Sequence, residues 1–120
     1  MTLILVRPHT SLLDGPRVAW RLYRSGMCRA VFPVDPDYAR HPFYGRLLRA
    51  YGWLIGRQEM VAMDAGQPYA LRELAALLKA GRTVVIFPQG TGLSDPRRPD
   101  RPGAAWLVRV TGTDTRDYWL

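Results

Sequence analysis

Between residues 68 and 87 a helix and a buried strand follow one another with almost no connection, and this succession restricts the fold more than any other feature of the chain. Leu71, Leu74, Ala75 and Leu78 recur at i, i+3, i+4 and i+7, one face of a helix opened by Pro68. Lys79 falls in its last turn and Gly81 just beyond, as suits a helix end. Thr83-Val84-Val85-Ile86-Phe87 comes at once, apolar and without alternation, which predicts a strand covered on both faces. Such strands belong to a mostly parallel sheet flanked by helices, an α/β fold.

The same alternation runs along the rest of the chain. Residues 3–7 read as a short buried strand stopped by Pro8. Asp14-Gly15-Pro16 starts a helix that runs to about Arg24 and ends at Ser25-Gly26. Residues 29–34 read as a second strand, and the prolines between Asp35 and Pro42 mark a loop. Residues 43–54 read as an amphipathic helix with Leu47, Leu48, Tyr51 and Leu54 along its apolar side. A short strand is expected from Glu59 to Met63, a long loop from Gly90 to Gly103, and a last helix over 104–110. Thr111 to Leu120 carries no readable period. With 120 residues, the expectation is a single domain over 1–120.

Composition narrows the function. Hydrophobic residues make up 48%, so the chain has the means to build a core. The net charge is +7, and 16 of the 17 basic residues are arginine. Guanidinium groups suit phosphate, which points to a nucleic acid, an anionic membrane or a phosphorylated substrate. The arginines are scattered through strands, helices and loops rather than gathered on one recognition helix, which argues against nucleic acid. Cys28 is the only cysteine, so no intramolecular disulfide can form, as fits a reducing compartment. The apolar run Leu3-Ile4-Leu5-Val6 is too short for a signal-peptide core or a spanning helix. A cytoplasmic protein, peripheral at the inner face of the cell membrane, is expected.

Two segments carry chemistry. In His9-Thr10-Ser11-Leu12-Leu13-Asp14, a histidine just past a buried strand precedes a carboxylate at a helix start. Histidine titrates near neutrality and can take a proton from a hydroxyl, and a carboxylate on its other ring nitrogen holds the tautomer. Alone, this spacing equally describes a loop histidine and an aspartate that caps a helix. The second segment, Phe87-Pro88-Gln89-Gly90-Thr91, leaves the end of the apolar strand, where α/β sheets place ligand loops. Its backbone N–H groups suit a phosphate or an oxyanion, although an ordinary strand exit has the same look.

Taken together, the order and spacing of these segments resemble the glycerolipid acyltransferases, which include the lysophosphatidate acyltransferases. The likeness is closest to the acyltransferase portion of bacterial 2-acylglycerophosphoethanolamine acyltransferases. The family's first motif, histidine, four residues, aspartate, is matched by His9 and Asp14. Its third motif, Phe-Pro-Glu-Gly, is matched in part by Phe87, Pro88, Gln89 and Gly90, with Thr91 after it. Gly103-Ala104-Ala105 resembles the small-residue stretch that follows. The resemblance implies an acyltransferase-like core with His9 as general base and Asp14 as its orienter. It implies that Phe87, Pro88, Gln89, Gly90 and Thr91 line the acceptor site. The implied co-substrates are an acyl-CoA or acyl-carrier-protein thioester and a lysophospholipid or glycerol-phosphate acceptor. No metal or organic cofactor is implied.

The sequence departs from the family at several points. Gln89 replaces the third-motif glutamate and Gly92 the arginine after Thr91. Met63 stands at the second-motif arginine, with Arg57 near but out of register, and Pro8 replaces a common asparagine. Arg97, Arg98 and Arg101 are candidate substitutes for the lost phosphate-binding arginine. The fourth, apolar-proline-apolar motif and the helices before the first strand are not found, so a core incomplete at both ends is expected. The rival expectation is a non-catalytic remnant or lipid-binding module of the same fold.

Overall fold

The computed structural model describes residues 2–7, 14–34, 41–63, 68–88 and 102–119. Five strands, β1 (Thr2–Arg7), β2 (Val31–Val34), β3 (Glu59–Ala62), β4 (Thr83–Ile86) and β5 (Asp114–Trp119), form one sheet in the order β3-β2-β4-β1-β5. Every pairing is parallel. The helices are α1 (Asp14–Arg24), α2 (Tyr44–Leu54), α3 (Pro68–Lys79) and α4 (Pro102–Thr111). The expected α/β fold is therefore the observed one.

Alternation along the strands divides the core in two. Leu3, Leu5, Val84 and Ile86 point to one face, where Leu74 and Leu78 of α3 and Leu107 of α4 cover them. Ile4, Val6 and Val85 point to the other, against Val18 and Leu22 of α1 and Ile55 after α2. Successive strand side chains alternate between faces, so apolar runs such as Val84-Val85-Ile86 are what two covering layers demand. The α3–α4 contact is close because Gly103 has no side chain: a Cβ there would stand 3.0 Å from Leu71 Cδ2. The small-residue stretch thus has a packing reason.

Four elements differ from the sequence expectation. Strand β2 begins at Val31 rather than residue 29, because Arg29 has φ 59° and the Ala30 N–H donates to Gln58 Oε1 at 2.7 Å. Helix α4 begins at Pro102, whose missing N–H costs nothing in a first turn. The inward side of α2 is Gly45, Leu48, Tyr51 and Gly52, while Leu47 and Leu54 are exposed. Gly52 lies against the turn before β3, where an added Cβ would be 3.1 Å from the Gln58 carbonyl oxygen. Finally, residues 114–119 form the edge strand β5, held to β1 by an Arg7–Asp117 ion pair of 2.6 Å.

Candidate active site

Among the described residues all five strands are parallel, so one edge of the sheet collects their C-termini, and the four described helices start on that side. Within it, β1 and β4 are neighbours, with Leu5 opposite Ile86. Their ends therefore lie about 4.8 Å apart across the ladder. The chain leaving β1 enters α1 on one face of the sheet, and the chain leaving β4 enters α4 on the other. This is a topological switch point, where divergent connections open the crevice in which α/β sheets bind ligands.

The segment with His9 leaves β1 and the segment with Gln89 leaves β4, so both are rooted at this crevice. His9, Gln89, Gly90 and Thr91 lie outside the described residues, as do Arg97, Arg98 and Arg101. Asp14 contributes the first backbone position of α1. That helix start is anchored by Tyr51 of α2, whose hydroxyl donates to the Pro16 carbonyl at 3.1 Å. Phe87 is half-buried against the α1–α2 side of the core, and Pro88 is buried. Of the third-motif residues, these two are the packed base from which the rest departs.

Met63, at the second-motif arginine position, and Arg57, the nearby arginine, fall in different places. Met63 just follows β3 at the crevice edge, but its side chain is 3% exposed and belongs to the core under α3. Arg57 precedes β3, with φ 54°, at the opposite edge of the sheet. A four-residue strand, about 13 Å, separates it from the crevice edge. It shares an open pocket there with Arg29, Arg82 and Trp53. Arg57 is thus no substitute for the second-motif arginine.

Arg7, read from the sequence only as a strand end, is the cation nearest the crevice among the residues of β1. It pairs with Asp117 and lies 5.6 Å from the Trp119 ring centroid, fixing β5 beside β1. Arg21 of α1 lies 4.7 Å from the Tyr118 ring centroid and joins the same clamp. Only the topology reveals this role, since no motif or hydrophobic period marks β5.

The crevice at the switch point thus lies between the ends of the strands from which the histidine–aspartate segment and the Phe-Pro-x-Gly segment leave. A sequence model of the family described as Acyltransferase matches residues 2–114, from the start of β1 to the first residue of β5. The chain belongs to the acyltransferase family.

Proposed function

We propose that this domain transfers a fatty acyl group from an acyl thioester, of coenzyme A or acyl carrier protein, to the hydroxyl of a lysophospholipid or glycerol-phosphate acceptor. The observation that carries the reading is the adjacency of β1 and β4 at the switch point, which roots both motif segments at one crevice. His9 is the general base and Asp14 its orienting carboxylate. One ring nitrogen of His9 takes the acceptor's hydroxyl proton as the oxygen attacks the thioester carbonyl carbon. The tetrahedral intermediate collapses, the carbon–sulfur bond breaks, and the imidazolium returns its proton to the leaving thiolate. Asp14 holds the imidazole tautomer and offsets the positive charge that forms.

Gln89, Gly90 and Thr91, with Phe87 and Pro88 behind them, receive the acceptor's polar head. The described helices start on the crevice side and turn their positive dipole ends toward it, which favours an anionic head. No metal or organic cofactor enters the reaction so written. The likeness to bacterial 2-acylglycerophosphoethanolamine acyltransferases favours a lysophospholipid acceptor and a peripheral position at the inner face of the cell membrane.

The burial of Met63 at the second-motif arginine position favours a second reading, a lipid-binding relative that keeps the fold without turnover. Incubation of the protein with acyl-CoA and acyl-carrier-protein thioesters and a panel of lysophospholipids and glycerol phosphate separates the two. Acylated product supports the first reading. Lysophospholipid binding without product on any acceptor supports the second.

A further inference from the structure

The outer surface of the α1–α2 layer has a composition the catalytic reading does not use. Phe43 and Leu54 are both 71% exposed, and Leu47 and Trp53 also stand in solvent. At 100° per residue, Phe43 just before α2 and Leu47 and Leu54 on it fall within about 40° of one another, with Arg46 and Trp53 beside them. On α1 the exposed Trp20 and Tyr23 have ring centroids 5.8 Å apart, tilted at 47°, and Arg17 and Arg24 flank them in sequence. From Gly15 to Gln58 the sequence holds eight arginines against two acids, Asp35 and Asp37. At the end of α2 this surface runs into an open pocket of about 460 Å³ that Arg29, Arg57 and Arg82 line with Trp53. Among the described residues its one ion pair is Arg82 with Glu59, at 3.1 Å.

We infer that this surface lays the domain on an anionic membrane, with α2 in the interface plane. The inference rests on the reading that the acceptor is a membrane lipid, and it names the surface that meets that lipid's bilayer. Exposed apolar side chains flanked by guanidiniums match the two zones of a leaflet boundary, acyl chains beneath and phosphates beside them. Tryptophan and tyrosine favour that boundary. A protein partner with an acidic rim would fit the charge, but the mix of exposed aromatic, leucine and arginine side chains fits a fluid surface better than a patterned one. With 11 residues, about 16 Å, α2 lies on a bilayer and does not cross it. Its first turn is at the crevice edge of the sheet, so the crevice opens beside the membrane plane.

The test is co-sedimentation of the full chain with vesicles of equal parts phosphatidylcholine and phosphatidylglycerol, and with phosphatidylcholine alone. Two variants are compared, Phe43→Ser/Leu47→Ser/Leu54→Ser and Arg46→Gln/Arg49→Gln, each checked for folding by circular dichroism. The result expected is binding to anionic vesicles that salt weakens, and partitioning at least about tenfold lower in either variant. Acyl-chain-brominated lipid should quench tryptophan emission, and Trp53→Phe should reduce that quenching. Variants that bind as wild type does, or wild type that ignores anionic vesicles, overturn the inference. So does self-association of wild type that the serine variant abolishes while vesicle binding persists. Turnover of a short-chain, water-soluble lysophospholipid is measured in parallel. Wild type that docks through this face but acylates nothing confirms the surface and overturns acyl transfer. Variants that leave the vesicles yet keep soluble turnover support both.

Discussion

The two helical layers cover the same sheet, yet they leave different surfaces outside. On α3 and α4 the large apolar side chains are mostly inward, and Tyr69 and Val110 are the exposed ones. Their charges are mixed, Arg72, Lys79 and Arg109 with Glu73. On α1 and α2, with Phe43 just before the latter, six large apolar side chains are exposed: Trp20, Tyr23, Phe43, Leu47, Trp53 and Leu54. These two helices hold five arginines and one acid, Asp14. The cause is local. Helix α2 turns Gly45 and Gly52 inward, and Gly52 approaches the turn before β3, so the bulk of the helix is turned outward. One layer spends its apolar residues on the core, and the other keeps part of them for a surface.

Stability measurements can break this comparison. Leu74→Ala, in the fully buried face of α3, should cost about 3 kcal/mol in urea unfolding, by lost transfer energy and a cavity. Gln58→Leu should cost about 2 kcal/mol. Its side chain is buried and joins the turns before β2 and β3, accepting from the Ala30 N–H and donating to the Met27 carbonyl at 2.9 Å. Leucine would leave both backbone groups unpaired. Gly52→Ala should cost about 1 kcal/mol: the gain in helix propensity is outweighed by contact with a backbone oxygen that cannot move aside. Leu54→Ser should change stability by no more than about 0.5 kcal/mol, since the side chain already faces water. A loss from Leu54→Ser as large as that from Leu74→Ala would show that the outer face is packed after all, and would dissolve the contrast.

Much of the fold was legible along the chain, and for identifiable reasons. β1, α1, α3 and β4 are marked by apolar runs, prolines at helix starts and glycines at helix ends, all local signals. β5 was not legible, because an edge strand with exposed Thr115, Arg116 and Asp117 needs no apolar period. The face of α2 was misleading, since its burial is set by where a glycine permits close approach and not by where leucines recur. For the candidate site, the two motif segments could be read from residues alone. That the strands they leave are neighbours could not, because it depends on β4 inserting between β1 and β2. Nor could the exclusion of Arg57, which is close to Met63 in sequence but at the opposite edge of the sheet.

The central claim is that His9 performs general-base catalysis at the β1–β4 crevice. The most direct measurement is thioester-dependent acylation of the best acceptor by wild type and by His9→Ala, with circular dichroism to confirm that both are folded. The account predicts a folded variant with a rate lower by about 10²–10⁴-fold. A folded His9→Ala protein that acylates as fast as wild type would contradict it.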